Sequence, residues 1–160
     1  MTAMNADAYL LLAIEAGRAG MEARLGGPFG AVIVGPAGEV IAEGCNRVTS
    51  SNDPTAHAEV SAIRAACAAL GSFQLVGCTL YTSCEPCPMC LSAAYWARVD
   101  AIVYGASREE AAAAGFDDAF IYDEIGLAPA ERRIPMRRAA TGPAAMLLRE
   151  WASLEDRTPY

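Results

Sequence analysis

Residues 82–90 read Thr-Ser-Cys-Glu-Pro-Cys-Pro-Met-Cys, three of the chain's six cysteines at spacings of three, with a proline on each side of the middle one. No other stretch restricts the fold as much. A strand ends here and a helix begins, because proline breaks regular pairing yet is tolerated in the first turn of a helix. Cys87 and Cys90, three apart, share a face of that first turn. The helix N-terminus favours the thiolate form of both. Disulfides, a closed metal site and a catalytic metal site are the candidate reasons for gathering cysteines this way.

Bulk properties narrow the choice. With 160 residues, 54% apolar and 19% charged, the chain has enough material for one domain with a substantial core and is not disordered. No apolar run approaches the ~20 residues of a membrane helix. The N-terminal Ala-Tyr-Leu-Leu-Leu-Ala-Ile lies between Asp7 and Glu15 with no basic flank, so it reads as a helix face and not as a signal peptide. The expected compartment is the reducing cytoplasm, where disulfides are uncommon. Cys45, Cys67 and Cys78 lie in apolar stretches and are expected in the core. A net charge of −7 argues against a nucleic-acid partner, and no membrane partner is expected. All 12 basic residues are arginine. Without lysine, Schiff-base chemistry, lysine-anchored pyridoxal phosphate and the usual phosphate-binding P-loop are excluded.

Along the chain, strand and helix signals alternate. Residues 5–24 carry a helical pattern through Leu10, Leu11, Ile14 and Met21. Strands are expected near 29–34 and over Glu-Val-Ile-Ala-Glu-Gly-Cys-Asn, joined by a Gly-Pro-Ala-Gly turn. Asp53 and Pro54 are expected to open a second helix that ends near Gly71. A third strand over Cys-Thr-Leu-Tyr-Thr-Ser leads into a third helix at about 88–97, and Asp-Ala-Ile-Val-Tyr-Gly-Ala supplies a fourth strand. Two short helices, a strand near 134–139 and a last helix over about 143–155 complete the expectation. This order implies an α/β fold, one sheet with helices on both faces. No linker, repeat or low-complexity block divides it.

Tetrahedral zinc wants more than two thiolates. The only histidine, His57, lies at another strand-to-helix turn. His57-Ala58-Glu59, followed some 27 residues later by Pro86-Cys87-Pro88-Met89-Cys90, is the His-x-Glu…Pro-Cys-x-x-Cys signature of zinc nucleobase deaminases. A closed structural site with Cys84 as fourth ligand is the rival. Pro86 turns Cys84 away, however, and a structural site has no use for Glu59. Three protein ligands leave a position for water, whose pKa zinc lowers toward ~7, generating hydroxide at neutral pH. Glu59 can then take the water's proton and pass it to the ring nitrogen and the leaving amine. The plainer reading of Glu59 is a first-turn acid complementing the helix dipole.

The stretches Gly-Gly-Pro-Phe-Gly-Ala-Val-Ile-Val, Ser-Asn-Asp-Pro-Thr-Ala-His-Ala-Glu-Val, Gly-Phe-Asp-Asp-Ala-Phe-Ile-Tyr-Asp-Glu-Ile and the final Tyr160 resemble bacterial guanine deaminases of the cytidine-deaminase-like fold over nearly the whole chain. The resemblance implies a single α/β/α sandwich domain spanning residues 1–160, three layers around a mixed sheet of about five strands. It implies hydrolysis of guanine to xanthine and ammonia by attack of zinc hydroxide at C2, with one Zn²⁺ per subunit held by His57, Cys87 and Cys90. Glu59 would be the proton carrier and Asp118, neighbour of Asp117, the second acid. Phe29 would stack on the base, Asn46 and the Ala58 N–H would hydrogen-bond it, and Trp96 would line the pocket. The segment from about 141 to 160, ending on Tyr160, would cover the site and cross between the subunits of a homodimer. Its Glu-Asp-Arg-Thr-Pro departs from the family's more basic tail. The small-molecule partner implied is a purine base. Another base or nucleoside (guanosine, cytosine, isocytosine, an amino-triazine), a tRNA adenosine, or a zinc-stabilised binding module are the alternatives. Arg132, Arg133, Arg137 and Arg138 are the one basic cluster that would suit RNA, and more simply form a solvated face.

Overall fold

In the computed structural model, residues 6–139 and 142–160 are described. Residues 5 and 141, the expected first residues of the first helix and of the tail segment, lie outside them. Strand β1 (Gly30–Val34) is buried at every position. Its side chains alternate between two cores: Ala31 and Ile33 join one, Val32 and Val34 the other. A strand covered on both faces needs a continuous apolar run, and Gly-Ala-Val-Ile-Val is one. Helix α1 (Ala6–Glu22) covers one face, packing Tyr9 and Ala13 on Val32, Val34 and Tyr81. Gly17 of α1 meets Gly30 so closely that a Cβ on Gly30 would stand 2.0 Å from the Ala13 carbonyl oxygen.

The other strands are β2 (Val40–Cys45), β3 (Thr79–Cys84) and β4 (Ala101–Ala106). They lie in the order β2-β1-β3-β4, with β1 antiparallel to both neighbours and β3 parallel to β4. The second face carries α3 (Ala58–Leu70) and α4 (Pro88–Ala97), whose Ala58, Ala62, Ile63, Ala66, Ala94 and Ala97 pack on Ala31, Ile33 and Leu80. This is the expected three-layer α/β/α arrangement on a mixed sheet, but with four strands. Residues 134–139 form no strand. Pro135 has no N–H to give to a ladder, and Ile134 and Met136 are exposed.

Two further expectations are corrected. Helix α3 begins at Ala58, with His57 as its N-cap, and not at Asp53. Asp53 Oδ1 accepts from the Thr55 N–H at 2.8 Å and from its hydroxyl at 2.7 Å, closing a tight local turn before the helix. A single helical turn, α2 (Val48–Ser51), precedes it, too short to leave a periodic signal. Of the three cysteines expected in the core, Cys78 is buried, whereas Cys45 and Cys67 are half-buried. Helix α5 (Arg108–Ala113) starts on a capping box made by Ser107 and Glu110.

By its contacts the chain forms two compact units, residues 1–119 and 120–160. The first holds the elements above. The second holds most of α6 (Ala119–Gly126) and α7 (Gly142–Ser153). Within it Arg133 pairs with Glu124 at 3.7 Å and lies over the Phe120 ring, while Arg132 donates to the Leu127 and Ile125 carbonyls. None of its described residues is buried. Among the described residues, no helix is long and apolar enough to cross a membrane.

Candidate metal centre and cavity

Two strand-to-helix turns in the first unit converge. At the end of β3, Cys87 is the N-cap of α4 and accepts from the Cys90 N–H, with Pro88 in the first turn. At the other turn His57 caps α3 with extended backbone and no side-chain capping bond, which leaves its ring free to turn inward. Gly44 lets α3 settle on β2, since a Cβ there would stand 2.5 Å from the Ala58 carbonyl oxygen.

The donor atoms of His57, Cys87 and Cys90 all lie within 4.8 Å of one another. A tetrahedral ion with Zn–S of about 2.3 Å and Zn–N of about 2.0 Å spaces nitrogen and sulfur donors about 3.5 Å apart. His57 Nδ1 lies 3.6 Å from Cys87 Sγ and 3.4 Å from Cys90 Sγ, so the group fits zinc. Cys84 is not in it: its thiol points to the Ser107 carbonyl at 3.8 Å, and burial pushes its pKa up to about 11. The closed four-ligand site therefore does not form.

The negative charge of the donor set is placed on Cys87. Cys87 is pulled down to about 4 by the hydrogen bond from the Cys90 thiol, with that to His57 adding to it. Cys90 is pushed up by donating that bond and by burial. His57 is raised, chiefly by its bond to Cys87. Zinc binding requires both cysteines as thiolates and would release the Cys90 proton.

Glu59, in the first turn of α3 and 6% exposed, sits beside this group. Its carboxylate accepts from Thr82 Oγ1 at 3.3 Å and lies 3.3 Å from Cys90 Sγ, and burial holds its pKa above the usual carboxylate range. Ala58, directly before it, is fully buried. The Ala58 N–H belongs to the first-turn amides that have no intrahelical acceptor.

A cavity of about 390 Å³ opens over His57, Glu59 and Cys87. Asn46 borders it with its oxygen committed to the Gly27 and Val48 N–H groups, each at 3.2 Å, so its NH₂ is the end it can offer. Phe29 meets Phe116 edge-to-face, ring centroids 4.8 Å apart. Asp117 and Asp118 both border the cavity but differ in what they do. Asp117 Oδ1 accepts from the Ala119 N–H at 3.0 Å, closing a local turn at the start of α6. Asp118 is half-buried, and burial together with the Cys87 charge raises its pKa.

Trp96 is not brought to the cavity. On α4 the buried positions are Pro88, Cys90, Ala94 and Ala97. Six residues past Cys90, Trp96 falls on the far side of the helix and is 65% exposed. Tyr160 belongs to the second unit and is exposed.

Sequence reasoning missed Phe116 and an ion pair in the cavity wall. Glu85, just before Pro86, accepts from the Arg108 N–H at 3.1 Å and Nε at 3.0 Å and from Nη2. Parallel pairing of Cys84 with Ala106 brings the residues after β3 and β4 side by side. Adjacency of those two parallel strands was the only signal that could have found the pair.

Residues 4–106 match the family model described as the cytidine and deoxycytidylate deaminase zinc-binding region. The chain is similar to the guanine deaminase of Bacillus subtilis, 52% identical over 157 residues, 98% of this chain and 100% of that one. The crystal structure of a guanine deaminase from that organism superposes with a TM-score of 0.95 and covers 98% of this chain and 99% of its own. A tRNA-specific adenosine deaminase of Agrobacterium fabrum is 51% identical over 79 residues, 49% of this chain and 51% of its own.

Proposed function

This chain belongs to the cytidine and deoxycytidylate deaminase zinc-binding family, and from that premise we propose that it hydrolyses guanine to xanthine and ammonia. The observation that carries the reading is a likeness to a guanine deaminase over the full length, beyond the zinc-binding region shared with tRNA-adenosine deaminases. A net charge of −7 also disfavours a tRNA substrate.

His57, Cys87 and Cys90 hold the zinc. Bound there, zinc supplies a Lewis acid that makes water nucleophilic at neutral pH. Glu59 takes one proton of the attacking water and gives it to the ring nitrogen; the second proton, from the hydroxyl formed at C2, passes to the amine as the C2–N bond breaks, leaving xanthine and ammonia. Its raised pKa suits a carboxylate that must carry a proton for part of the cycle. Asp118 relays a proton to the departing ammonia, while Asp117 serves α6. Phe29 stacks on the purine, Asn46 NH₂ and the Ala58 N–H donate to it, and the cavity has room for a free base.

The working form is a cytoplasmic homodimer. Six free cysteines suit a reducing compartment. Helix α7 buries nothing, and Met146, Leu147, Leu148 and Trp151 on it are all exposed, which calls for a covering partner. The segment from 142, ending on Tyr160, closes over the site of the other subunit, and Trp96 contributes to the pocket only through that pairing. Deleting residues 158–160 is expected to cut turnover severely while zinc is retained; unchanged turnover contradicts the lid.

The test of the substrate is ammonia release by zinc-loaded protein from guanine, guanosine, cytosine, cytidine, adenine and ammeline. Turnover of guanine with the nucleosides inert supports the reading. Preference for another compound, or silence across the panel, overturns it.

A further inference from the structure

Strand β3 carries a polar side chain where its pattern calls for an apolar one. Leu80 points into the core under α3, and Tyr81 into the core under α1. Thr82, two residues after Leu80 and opposite Ala31, therefore faces α3 and is 1% exposed. Valine has the same shape and would continue the alternation without burying a hydroxyl. A buried hydroxyl needs a partner, and that of Thr82 is Glu59 Oε1 at 3.3 Å. The Thr82 hydroxyl is thus a buried side-chain donor delivered from the sheet to one oxygen of the Glu59 carboxylate.

We infer that the Thr82 hydroxyl is a positioning group that holds the Glu59 carboxylate in its orientation for proton transfer. The inference rests on the deaminase reading above. β3 lies in the core of the sheet, so the hydroxyl is delivered from a rigid element to a carboxylate on the first turn of α3. Losing it frees the carboxylate to rotate without disturbing the cavity that binds the base.

The test uses the full zinc-loaded chain with Thr82→Val, Thr82→Ser, Glu59→Ala and Thr82→Val combined with Glu59→Ala. Thr82→Val is expected to keep its zinc and its KM for guanine and to lose about tenfold or more in kcat, the usual scale for removing a supporting hydrogen bond. Thr82→Ser, which keeps the hydroxyl, is expected to retain wild-type kcat. In thermal unfolding, Thr82→Val is expected to lower Tm in the wild-type background and not in the Glu59→Ala background, where its partner is gone. Wild-type kcat in Thr82→Val, an equal loss in Thr82→Ser, or the same Tm change in both backgrounds overturns the inference. An inactive wild type would overturn the deaminase reading instead, and the unfolding cycle would still decide whether Thr82 and Glu59 are coupled.

Discussion

The two turns that deliver the metal donors are built by opposite means. The β3–α4 turn is stiffened by its own residues: Pro86 and Pro88 flank Cys87, whose sulfur caps the helix that carries Cys90. The β2–α3 turn is a longer excursion through Asn46, α2 and the Asp53 turn, and His57 caps α3 with no bond of its own side chain. It is held from outside. Asn46 ties to Gly27, the Ser50 N–H to the Leu25 carbonyl, and Gly44 admits α3. Local chemistry therefore fixes the two thiolates, and long-range packing fixes the histidine.

The harshest way to break this comparison is to remove a donor from the stiff turn. Cys90→Ala is expected to abolish zinc binding and turnover, whereas Cys84→Ala, six residues earlier, keeps its zinc; metal analysis of the purified variants checks this. A smaller effect is expected from Gly44→Ala, which touches no donor but drives a Cβ into α3. It should destabilise the fold by about 1–3 kcal/mol, the usual cost of overpacking, and weaken zinc binding through His57 alone. Full zinc affinity in Gly44→Ala would show that the packed turn is as self-sufficient as the proline-stiffened one.

The smallest effect concerns the Glu85–Arg108 pair, which ties the β3–α4 turn to α5. Arg108 holds the Glu85 carboxyl below its usual range. A lowered folded pKa stabilises above the unfolded value of about 4.3 and is lost as pH falls through the folded one. Arg108→Ala is therefore expected to lower stability at pH 7 by no more than about 1 kcal/mol, since the pair is open to solvent on the arginine side, and to cost less at pH 3. An equal loss at both pH values would mean that the arginine acts by packing and not by charge.

The same contrast explains what the sequence made legible. β1 is readable because a strand buried on both faces must be uniformly apolar. α4 and its donors are readable because proline and N-cap chemistry are local. The start of α3 is not, because Asp53 and Pro54 carry the signals of a helix start and are used for a turn instead. The position of Trp96 was readable: Cys90, Ala94 and Ala97 mark the buried face, and Trp96 lies off it. The Glu85–Arg108 pair depends on which strands are neighbours, and the Phe29–Phe116 contact on where the loop after α5 lies, and no local pattern encodes either. The strand expected near 134–139 contains Pro135, which has no N–H for a ladder, and Ile134 and Met136 beside it are exposed.

The most direct test of the central claim is Glu59→Ala beside the wild type, each analysed for zinc and for ammonia release from guanine. If a carboxylate that is not a ligand carries the proton, both hold one zinc per chain and only the wild type releases ammonia at a measurable rate. A variant that keeps its zinc and also keeps full turnover would contradict the account.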